Sequence, residues 1–291
     1  MPNLTDNIRG ALLMIASMAC FTFNDALVKV IGQDLPLFQI IAMRGILATA
    51  LIYALARYLG KLRFDFSRRD WALVGLRSVS EIFTTYFFLT ALLVMPIANV
   101  TAVLQALPLT VTLGAALVFR EAVGWRRLGA ILIGFVGVLL IIRPGPEGFS
   151  HGGVYVLLAV ACITVRDLCS RGMSSSVPSL TVTLLTSTLV TVCAGLASVG
   201  TPWQPVDTGQ VVILSVAGFL ILGGYLFSVL VMRVGDVSFT SPFRYTGLIW
   251  ALLLGWLIFA DWPDNVTLLG ALLVVSTGVF TLYRERLRRG A

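Results

Sequence analysis

The sequence predicts an all-α integral membrane protein with ten transmembrane helices, and three observations carry that fold class. Hydrophobic residues make up 58% of the 291-residue chain and charged residues only 12%, whereas soluble domains carry about 25% charged residues. The apolar residues come in runs of about 20, the length that crosses a bilayer as a helix. The bases gather in alternate connections between those runs, which marks these connections as cytoplasmic.

The spans follow in order. The first, 8–31, opens after a short polar start with Asp6 and Arg9; no small-residue cleavage site ends it, so it is expected to stay as a helix. The second, 36–57, starts at Pro36 and runs into Arg57, Lys61, Arg63, Arg68 and Arg69. The third and fourth, 71–94 and 97–119, meet at Met95–Pro96, and the fourth ends at Arg120. The fifth, 125–143, follows Arg126 and Arg127; the sixth, 152–172, ends at Arg171. The seventh and eighth are 178–199 and 209–232, bounded by Pro178, Asp207 and Arg233. The ninth and tenth, 238–260 and 265–284, flank Asp261 and Pro263, and the tail carries Arg284, Arg286, Arg288 and Arg289. A proline at a span start costs little, because the first N–H of a helix has no partner there. This charge bias puts the N and C termini in the cytoplasm, with Arg143 as the main exception. Trp71 and Trp125 fall at the inner interface, Trp203 and Trp262 at the outer one.

The chain repeats itself. Ala19-Cys20-Phe21-Thr22-Phe23-Asn24-Asp25 returns as Ala161-Cys162-Ile163-Thr164-Val165-Arg166-Asp167, and Leu128-Gly129-Ala130 with Gly137 returns as Leu269-Gly270-Ala271 with Gly278 at nearly the same offset. Residues 1–145 and 146–291 then form two repeats of five spans. Five is odd, so the second must lie inverted relative to the first. Transporters place their solute between such halves.

Polar groups inside apolar helices are the candidate functional residues. An ionisable side chain at mid-membrane costs about 2.5–3.5 kcal/mol on insertion scales, so it faces a cavity or a partner. Asn24 and Asp25 lie about 9 Å below the outer end of the first span, at 1.5 Å per residue. Lys29 lies four residues on, on the same face, and Arg44 lies at a similar depth. Arg77 and Glu81 are also four apart, and Arg166 and Asp167 lie near the inner end of the sixth span. Asp25, Lys29, Arg44, Arg77, Glu81, Arg166 and Asp167 are therefore candidates for gating or coupling; static salt bridges that only fix packing would account for them equally. Asp25 and Asp167 are counterparts at opposite mouths, and so are Lys29 and Arg171. Asn24, Tyr86, Asn99, Thr101, Gln105, Tyr225, Arg244, Tyr245 and Trp250 are candidates for the solute cavity. Amides and hydroxyls among rings suit a zwitterionic or amphipathic solute. Pro108 frees a carbonyl in mid-helix. Spans five and ten carry glycines and no internal charge, and are read as peripheral supports.

The four cysteines lie in apolar runs without a CxxC pair, and His151 stands alone near a connection. No enzyme signature, P-loop or metal-ligand cluster occurs, so no enzyme activity, cofactor or metal is expected. The net charge of +7 belongs to cytoplasmic loops, and no nucleic acid is expected. With little surface outside the bilayer, no obligate protein partner is expected either. The partners are the lipid bilayer and a small-molecule substrate.

Leu104-Gln105-Ala106-Leu107-Pro108, Phe119-Arg120-Glu121, Leu128-Gly129-Ala130, Gly134 to Gly137-Val138 and Arg143-Pro144-Gly145 resemble the EamA family of the drug/metabolite transporter superfamily. The second half, from Tyr225 through Asp261 to Gly278, is similar to the family's degenerate second repeat. The resemblance implies two inverted five-helix repeats around a cavity lined by spans 1–4 and 6–9, in the bacterial inner membrane. It implies export of amino acids or other small metabolites, and among members the chain is similar to the YddG-like amino-acid exporters. Nucleotides, vitamins, drugs or lipid-linked carriers are the alternative cargoes.

Overall fold

The computed structural model describes residues 4–60, 62–120, 124–145, 150–174, 176–234 and 237–289. Within them, ten spans are long and apolar enough to cross a membrane. Helices α1 (Leu4–Ile31), α2 (Leu37–Tyr58) and α3 (Arg68–Val94) are the first three spans. The fourth span is two helices, α4 (Ile97–Leu104) and α5 (Leu107–Phe119). Then come α6 (Trp125–Ile142), α7 (His151–Gly172), α8 (Ser179–Ala197) and α9 (Thr208–Val234). The ninth span is α10 (Val237–Thr240), a 3-10 turn (Ser241–Tyr245) and α11 (Thr246–Phe259); α12 (Asn265–Arg289) is the tenth.

The span limits agree with the apolar runs to within a few residues. Spans four and nine add a feature that run length does not show: the α-helix is interrupted in each, at Gln105–Ala106 in span four and at Ser241–Tyr245 near the start of span nine, and a proline accompanies each break. Pro108 stands in the first turn of α5, where its missing N–H is harmless. The chain changes direction just before it, at Gln105 and Ala106, whose N–H groups reach back to Thr101, Ala102 and Val103. Pro242 stands in the 3-10 turn. Both spans also end alike, with a left-handed residue at Arg120 (φ 55°) and Ala260 (φ 53°), a conformation uncommon for residues bearing a Cβ.

The most closely packed pairs are α1 with α9, α3 with α7, α6 with α12 and α2 with α8. In span numbers these are 1–8, 3–6, 5–10 and 2–7. Replace each span by the one five places away and the set of pairs is unchanged. Small residues permit the closest approaches. A Cβ on Gly137 would come within 2.7 Å of the Gly270 carbonyl oxygen, and one on Gly270 within 2.6 Å of the Gly137 oxygen. Between α1 and α9, the Ser17 hydroxyl donates to the Gly224 carbonyl at 2.8 Å.

The end of the bundle away from the basic loops is filled. Ile31, Ile40, Leu92, Ile97, Ala194, Ala251 and Leu254 form one buried apolar cluster there. Arg143, the exception in the charge pattern, lies at this same end and is paired with Asp264. A neighbouring acid thus neutralises the base that the loop bias leaves out of place.

Candidate functional site

A cavity of about 680 Å³ occupies the other half of the bundle. Its wall includes Arg127 in the first turn of α6, Arg171 in the last turn of α7 and Leu282 near the end of α12. All three belong to the end that carries the basic loops. From there the cavity runs inward to Asn24, Leu89 and Gly247, where the buried apolar cluster begins. The chamber is therefore open at the basic end and closed at the other.

The wall differs from the one expected of spans 1–4 and 6–9. Among the described residues, span seven contributes nothing to it. Its hydroxyls are taken up by neighbouring spans: Ser187 bonds to Thr49 at 2.7 Å, and Thr186 accepts from Arg77 at 2.7 Å. Spans five and ten, read from sequence as supports alone, supply Arg127 and Leu282. Span ten also shapes the wall at one remove. A Cβ at Gly278 would run into the Tyr245 hydroxyl, so this glycine leaves the room that the buried Tyr245 ring occupies.

At the closed end the polar groups form a relay. Arg44 Nη1 donates to Asn24 Oδ1 at 3.1 Å, and Asn24 Nδ2 donates to Asp25 Oδ1 at 3.0 Å. The Asn24 amide stands between Arg44 and Asp25, which lie at a similar depth, and Asp25 keeps an oxygen available to the chamber it lines. Half-way along, Arg166 binds two acids, Glu81 Oε2 at 3.1 Å and Asp167 Oδ1 at 2.9 Å. Glu81 thus takes its base from span six rather than from Arg77. Arg77 turns to hydroxyls, donating to Ser170 Oγ at 3.0 Å and Thr186 Oγ1 at 2.7 Å. Asp25 and Asp167, expected at opposite mouths, face one chamber at different depths.

Thr101, Gln105, Tyr225, Arg244 and Tyr245 also line the chamber. Three of them stand at or beside the breaks in spans four and nine. Four candidates do not line it. Tyr86 stacks on Phe38 (centroids 5.8 Å apart) and meets Tyr155 edge-on, in an aromatic cluster outside the wall. Trp250 lies against Phe23, and Asn99 is likewise outside the wall. Lys29 points to the closed end, where its Nζ donates to the carbonyls of Leu92 and Met95, both at 2.6 Å. Those carbonyls belong to the last turn of α3 and its C-cap residue, where helix carbonyls have no helical partners. Sequence reading did not single out Phe21, Thr84, Phe88, Thr112 or Ser228, which complete the wall. Their only signal is helical spacing from a charged neighbour: Thr84 and Phe88 follow Glu81 by three and seven residues.

On the flank of the bundle, Ala98, Pro242, Leu252, Leu268 and Leu272 line an apolar groove of about 430 Å³. It shares Tyr245 with the chamber, so the broken part of span nine is the partition between them.

Ten membrane-crossing helices around a charged chamber open at one end define a small-molecule transporter of the membrane, not an enzyme. The chain belongs to the EamA-like transporter family, whose model matches residues 8–143 and again 151–283. It is thus a multi-pass protein of the bacterial inner membrane. It is 25% identical over 282 residues to the S-adenosylmethionine uptake transporter of Rickettsia conorii, covering 96% of this chain and 94% of the relative. It is 25% identical over 273 residues to the pseudopaline exporter CntI of Pseudomonas aeruginosa (90% and 93% covered). To the riboflavin transporter of Vibrio cholerae it is 26% identical over 283 residues (94% and 92% covered). One solved crystal structure shares the fold, with a TM-score of 0.65 at 19% identity over 96% of this chain and 98% of the other.

Proposed function

We propose that residues 1–145 and 146–291 are inverted five-helix repeats, and that the chain exports amino acids or similar small metabolites by alternating access between them. The observation that carries this reading is the shape of the chamber: polar and charged, open at the basic end, and closed at the other by Ile31, Ile40, Leu92 and their neighbours. Solute would load from the cytoplasm, which is why export is the proposed direction. The relatives run both ways, one importing S-adenosylmethionine and one exporting pseudopaline. The self-exchanging helix pairs and the double family match support the repeat.

Asp25 at the closed end suits the ammonium of an amino acid. Thr101 and Gln105 offer neutral hydrogen bonds beside it, and the rings of Phe21, Phe88 and Tyr225 suit an apolar side chain. Reconstituted vesicles given a panel of labelled amino acids, with S-adenosylmethionine added and with and without a pH gradient, test the reading. Saturable flux for at least one amino acid is expected. Asp25→Asn should weaken its transport about tenfold or more, the scale of one charge-assisted hydrogen bond. No saturable flux for any amino acid would sink the amino-acid version. Translocation of lipid-linked carriers is a second reading, favoured by the apolar groove beside the chamber at Tyr245. A lipid-flip assay in the same vesicles separates the two.

A further inference from the structure

The charged side chains of the chamber wall are engaged with their neighbours, with one exception among the described residues. Arg44 donates to Asn24, which holds one oxygen of Asp25. Arg166 binds both Glu81 and Asp167, and Arg77 donates to Ser170 and Thr186. Arg127 and Arg171 are engaged at the mouth. The exception is Arg244. It lines the chamber at the break in span nine and is exposed, and its guanidinium makes no hydrogen bond or ion pair with any described residue. Span four offers neutral groups in the same condition. Thr101 and Gln105 stand one helical turn apart on the wall, half-buried, and their hydroxyl and amide bond to no described residue. Gln105 Nε2 lies 3.7 Å from where a Cβ on Gly247 would be. Gly247 follows Arg244 by three residues, so the amide reaches across to the broken part of span nine.

The charge of the wall gives this exception a meaning. Inward of the two mouth bases, the described wall carries three acids, Asp25, Glu81 and Asp167, against four bases, Arg44, Arg77, Arg166 and Arg244. One positive charge is left over, and the engagements above place it on Arg244. A charge held between apolar helices is costly unless it has a partner. A zwitterion is neutral as a whole and leaves the excess in place. A solute with one net negative charge removes it. Size points the same way. Asp25 lies at the closed end and Arg244 nearer the open one, so a solute that touches both is longer than a single amino acid. The cavity of about 680 Å³ is of the size that holds ligands well above an amino acid, about 300–1,000 Å³.

We propose that Arg244, with Gln105 and Thr101 beside it, is the subsite for a second acid group on the cargo, and that the cargo is an amino-acid derivative with two carboxylates and one net negative charge. This rests on the amino-acid reading above and narrows its substrate class. The ammonium of such a solute meets the open oxygen of Asp25, and its far carboxylate meets the Arg244 guanidinium, whose planar fork matches a carboxylate with two parallel hydrogen bonds. The Gln105 amide and the Thr101 hydroxyl supply further donors. A ring or aliphatic group between the two ends rests on Phe21, Phe88 and Tyr225.

A matched pair of probes tests the proposal in reconstituted vesicles. Labelled γ-glutamylphenylalanine has two carboxylates and one ammonium; its C-terminal amide has the same shape and no net charge. Labelled phenylalanine, glutamate and glutamine are run beside them. The parent should carry the acid with a kcat/KM about tenfold or more above the amide, the scale of one charge-assisted hydrogen bond. Arg244→Gln should bring that ratio close to one, and Arg244→Lys should keep part of it. Gln105→Glu leaves Arg244 in place but gives it an acid beside it, and should turn the preference towards the amide. A ratio is read within one preparation, so poor folding of a variant lowers both fluxes and leaves the ratio intact. Saturable flux with equal rates for acid and amide, or a preference for the amide in the parent, would overturn the anionic cargo and leave the amino-acid reading standing. An acid preference that survives in Arg244→Gln would overturn the assignment to Arg244. No saturable flux for any of the five probes would remove the amino-acid reading and this subsite with it.

Discussion

Asp264 does two tasks at the start of α12. It accepts the Thr267 N–H at 2.8 Å, capping the helix, and it binds the Arg143 guanidinium at the end of α6. These hydrogen bonds, Arg143 first and the Thr267 N–H next, hold its carboxyl down at about 2, against about 3.9 for a free Asp. A carboxyl lowered by folding stabilises the protein above its unfolded value, and that stability is lost as pH falls from about 4 towards 2. Asp264→Asn should lower the thermal midpoint of the detergent-solubilised protein by a small amount at pH 7, because both groups are exposed. The difference from the parent should vanish near pH 2; a constant gap across pH would exclude this origin. Side-chain direction was the least legible property of such residues. Spacing puts Asp25 and Lys29 on one face of α1, but a four-carbon stem carries the ammonium one turn further, to the end of α3. Tyr86 and Tyr225 are both candidates for the cavity from sequence, but Phe38 and Tyr155 draw the first into a ring cluster while the second lines the chamber. What composition did show was which depths hold polar groups. Asn24, Asp25, Arg44, Glu81 and Arg166 lie inside apolar runs, and all five line one chamber.

Helix α6 meets α12 backbone to backbone at Gly137 and Gly270, where each Cα faces the other's carbonyl. Neither oxygen can move aside as a side chain can. Gly137→Val should therefore cost about 1–3 kcal/mol, the usual penalty for overpacking, seen as a lower unfolding temperature. Gly129→Val serves as a control on the same helix, since nothing lies within 4 Å of a Cβ there. Equal losses from both would mean that helix propensity, not contact, sets the penalty. Helix positions themselves were legible, because bilayer thickness fixes how long an apolar run must be. The breaks in spans four and nine were legible only in part. Pro108 and Pro242 signal them, but a proline in the first turn of a helix and one in mid-helix read alike in a sequence. Only the backbone shows that α5 and α11 are separate helices beginning within a few residues of Pro108 and Pro242. The groove outside and the chamber inside then share a single partition, the 3-10 turn at Ser241–Tyr245.

At the scale of the whole molecule, the charge pattern of the connections gives the direction of every helix, and hence which end of the bundle faces the cytoplasm. The chamber follows that polarity: the inner half of the bundle is lined by charged and polar groups, and the outer half beyond it is packed with apolar ones. The closing cluster of Ile31, Ile40, Leu92, Ile97 and Leu254 has an electrical consequence. A proton or metal ion crosses a membrane along water or polar groups, and neither is offered through packed aliphatic side chains. The whole membrane potential then falls across this plug, where one elementary charge is worth about 2.3 kcal/mol per 100 mV. A cell can thus hold many copies at rest without short-circuiting its own proton gradient. Vesicles holding the protein without solute should dissipate an imposed potential no faster than empty ones, and Leu92→Asn, which puts an amide into the plug, should make them leak.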